Sequence, residues 1–276
     1  MNLMDHETEK YLFKLLKADT AKVRKGTVFN YRWNITDAIK VFFFYMLLMF
    51  VGIPLITRAI YAISGHATNT YTVGYRYLVL FISFFINVLI CSYVFYIVRI
   101  KYGQSVAALG LTFADLSSNI KLGIKKYLIT LPVIILAGFI INLISTYYGI
   151  MPEMQDVVQW VLGERSFFVL FSLVFFGVVV APVVEEILFR GFLQSALKNS
   201  MGGQYATLVS SALFAAVHMD AFAFLQIFIL GMLLGNLYER TQTLAASVVV
   251  HILHNSLTLV FLLYFKFFFD GKVPVF

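Results

Sequence analysis

Cysteine is almost missing from this sequence. Cys91 is the only one among 276 residues, so an intrachain disulfide is excluded. Its place inside an apolar run reads as a buried small side chain rather than a thiol nucleophile. Charge is scarce as well. Asp, Glu, Lys and Arg make up 13% of the chain against 61% hydrophobic residues, and the mean hydropathy is +0.86. That balance excludes an ordinary soluble globular domain. There is no internal repeat, no low-complexity tract and no stretch polar enough for a separate soluble domain. The opening residues, with Asp5, Glu7, Glu9, Lys10 and Lys14, lack the basic start, short apolar core and small-residue cleavage site of a secretory signal. Insertion is therefore expected to rely on the spans themselves.

What the chain has in abundance is long apolar runs. A membrane-spanning helix needs about 20 mostly apolar residues. Such runs recur at 38–63, 77–99, 122–148, 166–183, 205–218, 221–238 and 243–265. The reading is an all-α polytopic transmembrane helix bundle of about seven spans. The runs at 205 and 221 are short and separated only by Met219 and Asp220, so they fit a tilted hairpin, and the count lies between six and eight. The chain divides into an N-terminal segment 1–37, two first spans within 38–104, a core at 105–265 and a tail 266–276.

The formal net charge of +7 would suggest a nucleic-acid partner were it not distributed by loop. Lys10, Lys14, Lys17, Lys22, Arg24, Lys25, Arg32 and Lys40 precede or open the first run. Arg99, Lys101, Lys121, Lys125 and Lys126 flank the second connection, and Arg190, Lys198 and Arg240 continue the same alternation. The positive-inside rule then predicts an integral cell-membrane protein with a cytoplasmic N-terminus. Membrane lipid is the implied partner, and nucleic acid is not. Within 1–37, YLFKLLKADTAKVRK sets Leu12, Leu15 and Leu16 against Lys10, Lys14 and Lys17, as in a helix lying on an anionic leaflet. Asp115 or Ser117 is positioned to cap the helix that follows GLTFADLSSN.

Against this background APVVEEILFRGF, residues 181–192, is anomalous. A charge at mid-membrane costs roughly 2.5–3.5 kcal/mol on insertion scales, so Glu185, Glu186 and Arg190 must face the bundle interior. Glu186 and Arg190 are four apart and share a helix face, which predicts a bidentate ion pair. Glu185 points about 100° away and is left available. Pro182 removes a helical hydrogen bond and predicts a kink. Two further polar insertions occur in apolar runs: His218, and the set His251, His254 and Asn255. His251 and Asn255 share a face, whereas His254 reads as a satisfied core histidine.

A carboxylate in an apolar pocket can act as general base toward water, and His and Asn side chains can assist it or bind a developing oxyanion. No G-x-S-x-G elbow or placed nucleophile is present. Water activated by Glu185 fits, and so does a divalent metal such as zinc on Glu185, His218 and His251, although there is no H-E-x-x-H. Gly231 and Gly235 form a G-x-x-x-G, read as close helix packing.

EEILFR (Glu185, Glu186, Arg190), FAAVH (Phe214 to His218) and HILHN (His251 to Asn255) resemble, in order and spacing, the EExxxR, FxxxH and HxxxN/D motifs of the CPBP or Abi family. These are intramembrane proteases related to the type II CAAX prenyl endopeptidases. The similarity covers about residues 105–262. It implies a helical bundle with a cavity opening toward the cytoplasmic half of the membrane and hydrolysis of a peptide or lipidated-peptide substrate, such as a leader-type peptide. By position, Glu185 would activate the water, His218 would assist, His251 with Asn255 would bind the oxyanion or water, and Glu186 with Arg190 would hold the site together. One departure is Thr241, Gln242 and Thr243, where many bacterial members have a T-G-S-like turn. A scaffold or regulator without catalysis, as in bacteriocin immunity or signalling, and an ion or proton transporter are the competing classes. The oligomeric state is not encoded in these features.

Overall fold

The structure, a computed structural model, describes residues 33–64, 72–150 and 155–269. The interfacial helix expected within 1–37, and all but the start of the tail 266–276, lie outside the described residues. Among these residues the chain forms eight helices and no strand: α1 (Ile35–Ile63), α2 (Val73–Lys101), α3 (Leu116–Tyr147), α4 (Asp156–Gly163), α5 (Phe167–Met201), α6 (Gly203–Ala216), α7 (Phe224–Thr241) and α8 (Ala245–Phe268). The chain is thus an all-α membrane helix bundle. Every one of the seven apolar runs became a helix, and five of them, α1, α2, α3, α5 and α8, are long and apolar enough to cross a membrane. The 14-residue α6 reaches about 21 Å at 1.5 Å per residue, short of a bilayer's roughly 30 Å core. It pairs with α7 as the expected hairpin.

Local chemistry sets the helix starts. Asn34 caps α1 by accepting the Asp37 amide at 2.9 Å, and Thr72 and Ser166 do the same for α2 and α5. Asp115 stands at the N-cap of α3 as expected, but in a left-handed conformation (φ 49°) with no capping bond from its side chain. Large side chains such as Phe43, Phe81 and Ile129 are exposed around the outside. In this bundle they form the lipid-facing belt.

The centre of the molecule is the second half of α5. Every residue from Ile187 to Gln194 is buried, packed against α1, α2, α6 and α7. The Trp33 indole stacks on Phe192 and donates to its carbonyl at 3.0 Å. The G-x-x-x-G of α7 does pack closely: a Cβ on Gly231 would sit 3.1 Å from the Ser211 Cβ of α6, and one on Gly235 would sit 2.8 Å from Thr207 Cγ2. The turn between α7 and α8 keeps the shape that a glycine would give. Gln242 is left-handed (φ 52°, ψ 24°), and its own amide caps α7 by donating to the Glu239 carbonyl at 2.8 Å. The next turn is pinned where the Leu244 amide donates to the Gly110 carbonyl at 2.9 Å.

Pro182 does not break α5. The helix runs through it, with wide i→i+5 turns at Phe176–Val180 before it and Ile187–Gln194 after it. The reason is local. The Ala181 amide bonds back to the Phe176 carbonyl, a five-residue step that opens the helix where the proline ring would otherwise clash. It leaves the Gly177 carbonyl without a helical donor, because the next candidate, residue 182, has no N–H.

Candidate active site

That orphaned carbonyl is met from another helix. Asn255, on α8, donates from Nδ2 to the Gly177 oxygen at 2.8 Å. One N–H of the amide that the sequence offered for oxyanion binding is therefore occupied in closing the gap at Pro182, and the other remains.

Glu186 and Arg190 are completely buried. They pair as their i,i+4 spacing predicted, but the contact is a single Oε2–Nε approach of 3.6 Å rather than a bidentate fork. The guanidinium is shared with other partners. It donates from Nη2 to the Gly231 carbonyl at 3.3 Å and lies 4.6 Å over the Phe214 ring. The other oxygen of Glu186 accepts from His251 Nδ1 at 3.2 Å. A carboxylate only accepts, so this bond fixes the proton on Nδ1 and turns Nε2 outward. There it faces Glu185, whose Oε2 is 3.7 Å away. The glutamate that sequence spacing left without a local partner thus has a histidine beside it, supplied by a helix 66 residues further along the chain.

His218 stands just beyond the end of α6. Its Nδ1 donates to the Phe214 carbonyl at 2.7 Å, which leaves Nε2 as the acceptor. The Phe214 ring lies between the two histidines, 5.0 Å from His218 and 5.6 Å from His251 by centroid. His254 is held by the Tyr127 hydroxyl, 3.1 Å from its Nδ1, in keeping with its reading as a satisfied core histidine. Glu185, His218, His251, His254 and Asn255 all line one cavity of about 450 Å³. Glu186 does not; it supports the cavity wall from behind.

The rest of the cavity is mostly apolar, and one of its walls was not anticipated. The short α4 closes it with Val157, Val158 and Val161, at the end of the bundle where α5 begins and α8 finishes. Gln155 ties the start of α4 to the loop after His218, donating to Asp220 Oδ2 at 2.7 Å. At the other end Lys266 donates to the carbonyls of Val161, Leu162 and Glu164 at 2.9, 2.7 and 2.6 Å. Glu164 is itself buried. It accepts the Arg165 and Ser166 amides and pairs with Arg76 at 2.5 Å. Burial pushes its carboxyl upward, but the Ser166 amide, the Arg76 guanidinium and the Arg165 amide outweigh that and hold it below the usual carboxylate range.

Among the described residues, no group of three His, Cys, Asp or Glu side chains is arranged to hold a metal ion. His218 and His251 each hold Nδ1 on a protein oxygen and keep Nε2 free, and no step is routed through a metal below.

Comparison with known proteins bears on this stretch of the chain. MroQ of Staphylococcus aureus (strain USA300), a membrane-embedded CAAX protease, is 32% identical over 95 residues, 32% of this chain and 38% of that protein. YdiL of Bacillus subtilis (strain 168), named as a membrane peptidase, is 30% identical over 82 residues, 30% of this chain and 34% of its own. The chain thus spans little more than a third of the length of the curated relatives it matches. No solved structure gives a significant match. The family model of the Rce1-like type II CAAX prenyl endopeptidases matches residues 166–257, the stretch that supplies all seven residues of the EExxxR, FxxxH and HxxxN motifs. Over those residues the chain resembles the Rce1-like family.

Proposed function

We propose that the protein is an intramembrane endopeptidase that hydrolyses a peptide bond of a membrane-associated or leader-type peptide, using water activated by Glu185. The observation that carries this reading is the pairing of Glu185 with His251 Nε2 at 3.7 Å on the wall of a largely apolar cavity. That distance exceeds a direct hydrogen bond and lets both atoms reach one water molecule. Glu185 takes a proton from the water as its oxygen attacks the peptide carbonyl carbon. The C=O electrons move onto oxygen, and the oxyanion is met by donors from protonated His251 and the free N–H of Asn255. Collapse breaks the C–N bond, and the proton held by Glu185 passes to the leaving amine. His218, with its Nε2 lone pair free, helps to hold the water. Glu186 orients His251, the role a second carboxylate plays behind a catalytic histidine.

With the N-terminus cytoplasmic, as the loop charges argue, the cavity runs from Glu185 outward to α4, away from the cytoplasmic half toward which the family resemblance has it open. An apolar peptide segment or a lipid-modified one suits its walls.

The test is cleavage of candidate peptides in membranes. Glu185→Gln and His218→Ala should each reduce the rate by at least about 100-fold, the scale of one general acid–base group, at unchanged expression. Full activity in Glu185→Gln would sink the mechanism. Full physiological complementation by the same variant would instead favour a scaffold or regulator. Activity should also survive chelation; loss on chelation with recovery on added zinc would replace this reading with a metal-activated one.

A further inference from the structure

A second cavity, of about 360 Å³, opens between α3 and α7, and Lys126 and Arg240 both line it. No carboxylate does. Its two other polar side chains are turned to backbone: Thr130 donates to the Lys126 carbonyl at 3.0 Å, and Asn236 to the Met232 carbonyl at 2.7 Å. The two cations are therefore the charge the cavity presents. The remaining wall is apolar, formed by Ile229, Met232, Leu233 and Leu237. Beside it, α3 exposes Leu128, Ile129 and Val133 at 60%, 61% and 51%, a surface that only a bilayer covers favourably.

We propose that this cavity binds the phosphate headgroup of an anionic phospholipid, with an acyl chain lying against the Ile229–Leu233 wall. Two cations at one end of an apolar groove, near the last turn of α7 and on the same end of the bundle as Lys121 and Lys125, match an amphiphile with a single anionic head. A free phosphate would satisfy the cations and leave the apolar wall uncovered, so the occupant is a lipid rather than a soluble anion.

Native mass spectrometry of the full chain in detergent, with phosphatidylglycerol or phosphatidylcholine added at equal concentration, tests this. The native protein should retain phosphatidylglycerol preferentially. Lys126→Gln with Arg240→Gln should weaken that retention about 30-fold, roughly fivefold per cation, and leave phosphatidylcholine unchanged. Lys121→Gln with Lys125→Gln, which removes two exposed cations of the same helix, should have no effect. Inorganic phosphate at matched ionic strength should not displace the lipid. Undiminished retention in the first double variant, or equal loss in the second, would overturn the site, and full displacement by inorganic phosphate would overturn the lipid assignment. Thermal unfolding of each variant guards against misfolding. If the first double variant fails to fold, Arg240→Gln alone, at an exposed helix end, carries the test at fivefold.

Discussion

Glu186 has two jobs that one spacing rule cannot express. It neutralises Arg190, fixes the tautomer of His251, and does both at zero exposure. Replacing it with alanine strands a buried guanidinium, and removing one partner of a buried ion pair costs about 3–5 kcal/mol. Glu186→Ala should therefore lower the thermal unfolding temperature in detergent sharply. Glu185→Ala, on the cavity wall and partly exposed, should leave it nearly unchanged. This asymmetry between adjacent glutamates was legible in EEILFR, since an i,i+4 arginine can serve only one of them. The partner of the other was not legible, because His251 reaches Glu185 across two helices whose packing no local spacing encodes. The same holds for Tyr127 on His254, a contact between residues 127 apart.

At the scale of the element, Pro182 shows how a missing backbone donor is answered in place. The N–H is absent, and α5 meets that with a wide turn and an amide borrowed from α8. Asn255 and Pro182 should then be energetically coupled. Asn255→Asp presents a carboxylate to the Gly177 carbonyl, and losing that hydrogen bond costs about 0.5–1.5 kcal/mol. In a Pro182→Ala background the restored backbone N–H can serve that carbonyl, so the same substitution should cost measurably less. A double-mutant cycle by chemical or thermal unfolding checks this, and strict additivity would refute the coupling. The turn at Gln242 makes a related point. Departure from a glycine in a motif changed the residue and kept the left-handed geometry, because the glutamine side chain supplies its own cap.

Across the whole molecule, hydropathy alone fixed the class and located every long helix, since a bilayer leaves a chain so few choices. It could not find α4, which is too short and too mixed in character to register as a span, nor the polar latch that seats it over the cavity. That latch carries a pH dependence of definite sign. Glu164 is held below the usual carboxylate range in the fold, so its contribution to stability is complete above the unfolded carboxylate's pKa of about 4.3. It is lost as pH falls through the lower folded value. Unfolding temperature should consequently fall below about pH 4, and Glu164→Gln should be less stable at neutral pH and show a flatter acid limb. Parallel curves for the two proteins would contradict the assignment.

The wide turn at Phe176–Val180 also has a meaning in terms of chain length. It amounts to one surplus residue in an otherwise ordinary helix, and each residue advances a helix by about 100°. Because the wide turn absorbs that residue, deleting one valine from the run 178–180 would let it close to regular spacing while Val169 and Leu173, buried against α4 and α8, kept nearly the same face relative to Glu185. The register would survive, but the proline ring would again meet the carbonyl one turn before it, so the surplus residue is what lets a proline stand beside the motif.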